Sequence, residues 1–286
     1  MWFIERIFGR KKDQIKNPEV ESKESVSLGN LVNRTTEALE EILLDSKDLN
    51  FYQNQIGEWH GIEKSKIREN LKSMYEFAVA IRGNSQDYFN LASIESRIAD
   101  SIHEESKSLL HYQSAIGYLR KVREEDRGLA YNSSLAINLF DLWDNKQEKD
   151  VEETKQILKE AYSEVKTLIN TGKKFNTYTT SYMGNILFEI ADSDDQHIDI
   201  SQKEKIFRTG IKYLQEVANL DAQQCDFYNL GNAQATFLYH CLDLKERMAL
   251  RKEALRNLTK SYELNKDPET LEYIKEIEED GLEFSG

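Results

Sequence analysis

Phe227-Tyr228-Asn229-Leu230-Gly231-Asn232-Ala233, followed by Glu253-Ala254-Leu255-Arg256-Asn257-Leu258 and closed by Asp267-Pro268, is the stretch whose reading decides the fold. It reads as a helix, a turn and a second helix. Gly231 and Ala254 sit among bulky apolar residues, where a small side chain lets a neighbouring helix approach closely. Leu230 belongs to the facing core, and Tyr228, Asn229 and Asn232 are the polar neighbours left to face something else.

The same pattern recurs upstream. First helices superimpose at Asp87–Ser93, Asn132–Ile137, Ser181–Asn185 and Tyr228–Asn232, with small residues at 92, 136, 184 and 231, so the spacings are 44, 48 and 47. Second helices superimpose at Ser114–Leu119, Glu160–Val165, Thr209–Leu214 and Glu253–Leu258, with small residues at 115, 161, 210 and 254 and spacings of 46, 49 and 44. Two independent series with nearly one period define four helix pairs between residues 86 and 286. The surplus length lies between paired helices, at Asp144–Asp150 and Asp192–Gln202, so long helices and long connections are expected. A last helix from Pro268 to Ile277 caps the array.

Composition agrees with an all-α chain. Of 286 residues only 2 are Pro and 13 are Gly, too few for the frequent turns of a β-protein. The net charge of −13 makes nucleic acid a disfavoured partner. Cys225 and Cys241 are too few for a disulfide framework and read as buried free thiols of a cytoplasmic protein. No run of about 18 apolar residues predicts a membrane span, and the N-terminus lacks a secretory apolar core.

The Asn-Leu-Gly-Asn core, the Glu-Ala before the second apolar run and the terminal Asp-Pro of Phe227–Pro268 resemble the tetratricopeptide family, and the small-plus-apolar pattern extends the likeness to residues 86–286. That resemblance implies an all-α right-handed α-α superhelix, a solenoid of elongated helix pairs whose first helices line a concave groove for a protein or peptide. It implies no chemistry and no cofactor. Carried over position by position, the groove residues are Tyr228, Asn229 and Asn232, then Ser181, Tyr182, Asn185 and Glu189, then Ser133, Ser134 and Asp141, then Phe89, Asn90, Ser93 and Arg97. The lysines with which family members clamp a terminal carboxylate are absent there. With Asp141 and Glu189 in the groove, a partner of basic or neutral character fits.

Residues 1–27 stand apart. Trp2, Phe3, Ile4, Ile7 and Phe8 alternate with Arg6, Arg10, Lys11 and Lys12, an amphipathic, cationic helix able to fold back on the body, dock on a partner or touch an anionic membrane. Residues Asp13–Ser27 read as a linker. Residues 28–85 read as a helical lead-in, with helices expected over Leu28–Leu44, Leu49–Ile56 and Glu63–Ile81, the last stopped by Gly83-Asn84.

Candidate chemistry is sparse. Arg97 and His103 carry the residue types of a helical ribonuclease, a base for the 2′-hydroxyl and a cation for the phosphate. Six helical positions, however, turn through about 600° and rise about 9 Å. Asp192, Asp194, Asp195, His197 and Asp199 lack the Gly and the closing Glu of a calcium loop and read as a solvated connection. The expectation is therefore a non-enzymatic, cytoplasmic, bacterial-style scaffold, sensor or regulatory subunit without metal or cofactor. A ribonuclease using Arg97 and His103 and a membrane-peripheral adaptor working through residues 1–12 are the alternatives.

Overall fold

The computed structural model describes residues 64–102, 104–146, 151–193, 198–220, 223–241 and 243–280. The chain divides at Gly61, and every described residue belongs to the unit that follows. Trp2, Phe3, Ile4, Ile7 and Phe8, and the helices expected over 28–44 and 49–56, lie outside the described residues.

Ten α-helices are present among the described residues: α1 (Lys64–Ile81), α2 (Ser85–Ala99), α3 (Glu105–Leu119), α4 (Leu129–Asp144), α5 (Glu152–Asn170), α6 (Thr177–Asp192), α7 (Ile200–Ala218), α8 (Gln224–His240), α9 (Leu244–Asn265) and α10 (Pro268–Asp280). A 3-10 turn at Glu124–Asp126 precedes α4, and no strand occurs among the described residues. None of the described helices is long and apolar enough to cross a membrane.

Their boundaries follow from local chemistry. Gly83 adopts φ +55, a left-handed conformation that ends α1, and the Asn84 side chain then accepts from the Asp87 N–H to start α2. Asn176, Asp199 and Asp243 cap α6, α7 and α9 in the same way. Asp267 accepts from the Thr270 N–H while Pro268 opens α10, so the terminal Asp-Pro is a start signal for the next helix.

Each pair expected from the repeat is a packed pair: α2 on α3, α4 on α5, α6 on α7 and α8 on α9, with lighter contact to the next pair along the chain. All eight small residues of the two series, Ala92, Ala115, Ala136, Ala161, Gly184, Gly210, Gly231 and Ala254, are buried. The glycines show why. A Cβ on Gly184 would stand 2.7 Å from Leu214 Cγ, one on Gly210 would stand 3.1 Å from the Gly184 carbonyl oxygen, and one on Gly231 would stand 2.7 Å from Leu258 Cγ. The core runs in chain order as three clusters, one from Ala92 to Ile190, one from Phe188 to Cys241 and one from Ala235 to Ile277. Leu91, Leu135, Met183 and Leu230, the expected facing core, are all buried.

Two expectations change. Cys241 is buried under the end of α8, but Cys225, in the first turn of that helix, is exposed. Phe77 and Ile81 fit the predicted apolar stripe of α1, yet both are exposed, whereas Tyr75 and Ala78 carry its buried side.

Gly231→Ala forces a methyl into Leu258 and is expected to destabilise the protein by about 1–3 kcal/mol, read as the shift in urea unfolding. Gly117→Ala on α3, where an added Cβ meets nothing within 4 Å, is expected to gain up to about 1 kcal/mol from helix propensity. Equal effects of the two substitutions would refute the close-approach role of Gly231.

Candidate binding face and its buried carboxyl

The first helices of successive pairs also touch one another, α2 with α4, α4 with α6 and α6 with α8. The residues expected to serve a partner are distributed along this row. On α2, Asn90 is half-buried and accepts from Gln86 Nε2 at 2.8 Å, and Arg97 is exposed in the last turn. On α4, Ser133 is half-buried; on α6, Tyr182, Asn185 and Glu189 are half-buried. On α8, Tyr228, Asn229 and Asn232 are half-buried. Tyr228 packs against the cluster of Ala235, Ala254, Leu258, Ile274 and Ile277, and Asn232 Oδ1 accepts from Tyr273 Oη of α10 at 3.1 Å. The capping helix thus already engages two of the three polar residues of the most family-like unit.

Asp141 differs from expectation. Read from sequence as an exposed acid of the groove, it is only 9% exposed. The reason is the all-round burial of the C-terminal half of α4, where every residue from Ile137 to Trp143 is buried. Tyr182 Oη, from α6, donates to Asp141 Oδ1 at 2.9 Å. Asp141 Oδ2 has no hydrogen-bond partner among the described residues. Removal from water pushes the carboxyl up to about 7, the Tyr182 hydrogen bond works against that rise, and the negative charges of Asp100 and Asp144 add to it. The acidity assigned to this face therefore belongs in smaller part to Asp141 than its residue type suggests.

Around this pair the three helices assemble a cluster. The Tyr182 ring meets Phe140 edge-on at 5.9 Å between centroids, and Tyr178 lies over Tyr182 at 4.9 Å. Tyr178 is 54% exposed and forms the outer layer. Tyr112, from α3, donates to Asp100 Oδ1 at 2.9 Å. Burial, then the nearby Asp141 charge, raises the hydroxyls of both Tyr112 and Tyr182. Arg97, Asp100 and Asp141 all act electrostatically on Tyr178. The structure thus gathers Arg97, Asp141 and Tyr182 of the expected set and leaves Asn90, Ser133, Asn185, Glu189 and the α8 residues spread along the row. Tyr178, Tyr112 and Asp100 join the cluster without having been singled out. Tyr178 alone left a signal, because it stands one helical turn before Tyr182.

The helical spacing expected from Arg97 to His103 is interrupted by a helix end. Helix α2 stops at Ala99 with Asp100 as its C-cap, so Arg97 and position 103 do not share a helix, and His103 lies outside the described residues. In the acidic connection Asp199 caps α7 and Asp192 lies 3.4 Å from His240 Nε2, while residues 194–197 are outside the described set. Among the described residues no three carboxylate, His or Cys side chains gather as metal ligands.

Comparison with known proteins gives no match to a protein-family model, to a curated protein or to a solved structure.

Asp141 supplies a pH prediction. An unfolded Asp titrates near 3.9, and the folded value of about 7 lies above it. Stability from the neutral, buried acid is therefore complete below the unfolded value and is lost as pH rises through about 7, at up to about 1.4 kcal/mol per pH unit. Urea unfolding from pH 4 to pH 8 is expected to show Asp141→Asn gaining on the wild type as pH rises. A gap that stays constant across that range would remove the assignment.

Proposed function

We propose that this chain is a non-enzymatic interaction protein, a cytoplasmic scaffold, sensor or regulatory subunit. In this reading the helix pairs continue as a tetratricopeptide-like right-handed superhelix, and the row of first helices holds a protein or peptide partner. One observation carries it: Arg97, Asp141, Tyr178 and Tyr182, from three different first helices, gather at one place in the row.

Physical reasoning favours recognition there. A seam between helices packs adequately with apolar side chains, and a buried carboxyl held by one tyrosine hydroxyl adds little net stability. Polar groups aligned on successive helices suit an extended ligand, because Asn, Tyr and Arg supply directional donors and acceptors along its length. A net charge of −13, with Glu189 on the same row, favours a partner of basic or neutral character.

The test is a comparative capture from extract of the native host. Immobilised wild type, a triple variant Arg97→Ala, Tyr178→Ala, Asn185→Ala, and a control with Lys205→Ala and Lys212→Ala on α7 are compared by quantitative mass spectrometry. A protein retained by wild type and control and depleted about tenfold or more by the triple variant, with circular dichroism unchanged, is the expected result. Equal retention by all three baits would overturn the assignment of this face.

A further inference from the structure

Two acceptor oxygens on α4 are buried one turn apart and receive no hydrogen bond from the described residues. Asp141 Oδ2 is one. The other is Asn138 Oδ1, on a side chain only 3% exposed whose Nδ2 donates back to the Ser134 carbonyl at 2.8 Å. A buried acceptor left without a donor costs on the order of 1–3 kcal/mol. The side chains that best satisfy two acceptors at once are donor-only cations, an Arg guanidinium with five N–H groups or a Lys ammonium with three. Aromatic rings lie beside Asp141: Tyr182 is bonded to it, Tyr178 is tilted against Tyr182 at 4.9 Å, and Phe140 meets Tyr182 edge-on at 5.9 Å between centroids. Such faces attract cations more strongly than neutral polar groups.

We propose that the Asp141 carboxyl and the Asn138 amide oxygen form the anchor for one cationic side chain of a bound peptide, entering beside Tyr178 against Tyr182. This rests on the reading of the first helices as the binding face and names the chemistry that the face selects. Tyr178, half in solvent, lies against Tyr182, the residue bonded to Asp141, and is the exposed member of the cluster. Ion pairing inside this low-dielectric seam gives the anchor its selectivity, since a neutral isostere leaves the carboxylate uncompensated.

The groups around Asp141 set its pH response: Asp100 at the end of α2, Tyr112 from α3, Asp144 on α4 itself, and Tyr178 and Tyr182 from α6, with Arg97 acting on Tyr178. The free carboxyl, pushed up to about 7 by burial, is largely protonated at pH 6 and must ionise to hold the cation. Binding therefore weakens in acid.

The experiment titrates the full-length, isotope-labelled protein with three capped tripeptides, Gly-Arg-Gly, Gly-Lys-Gly and Gly-citrulline-Gly, and follows amide resonances by NMR. Expected is saturable movement of resonances in the second half of α4 and the first half of α6 with the Arg and Lys peptides. The citrulline peptide should bind at least about tenfold more weakly, Asp141→Asn should lose at least about tenfold for the cationic peptides, and affinity should fall about tenfold from pH 8 to pH 6. Tyr178→Ala, whose target side chain lies outside the core, should weaken the cationic peptides severalfold and decides the matter should Asp141→Asn not fold. Equal binding of the charged and neutral peptides, or responses confined to other helices, would overturn the anchor and leave the two oxygens to water. Loss of partner capture by the triple variant together with equal peptide binding would sink the cation anchor alone. Cation-selective titration with undiminished capture would keep the anchor and sink the wider face.

Discussion

Backbone against backbone at the crossing of α6 and α7 is the constraint on which the rest of the structure depends. Gly184 and Gly210 face each other so closely that a Cβ on either would stand 3.3 or 3.1 Å from the carbonyl oxygen of the other. That approach lets Leu214 lie over Gly184 and Leu187 over Gly210, burying large side chains on both helices at one point. Alanines do the same work in α2 with α3 and in α4 with α5, and Gly231 with Leu258 does it in α8 with α9. The apolar clusters run on from one pair to the next, and polar contacts accompany them where helices meet.

Polar ties recur where helices meet. Glu95 on α2, almost fully buried, receives Lys72 of α1 at 2.9 Å and His111 of α3 at 2.6 Å. Asp141 takes the Tyr182 hydroxyl, and Asn232 takes that of Tyr273. In the last pair Asn257 donates to Gln234 at 2.8 Å inside the core. Such bonds are directional, so they fix which residues of neighbouring helices stand opposite one another, a selection that interchangeable apolar contacts enforce less strictly. Where every lone pair is engaged the tie is structural. Where acceptors remain, as at Asp141 and Asn138, the oxygens on which the proposed anchor rests are found.

Much of the fold was legible because close packing leaves a mark on composition at fixed intervals. Small residues at 92, 136, 184 and 231 and at 115, 161, 210 and 254 announced the pairs and their crossing points; α4 ends at Asp144 and α5 begins at Glu152 around the first expected connection, whereas α7 begins at Ile200, inside the second. The candidate face was less legible. Tyr228 and Asn232 look like exposed groove residues in the sequence, but α10 folds against them, and nothing in residues 228–232 encodes the placement of Tyr273 some forty positions later. Asp141 read as a surface charge because its residue type is usually solvated.

What the sequence by itself determined is the all-helical class, the order of the pairs and the positions at which they cross, since those depend on spacing and side-chain size along one chain. Only the tertiary structure decided which polar residues face solvent, which face a neighbouring helix and which keep an unused oxygen. Burial depends on what other segments place against a residue, and Asp141 takes its character from Phe140 beside it, Asp100 of α2 and Tyr178 and Tyr182 of α6.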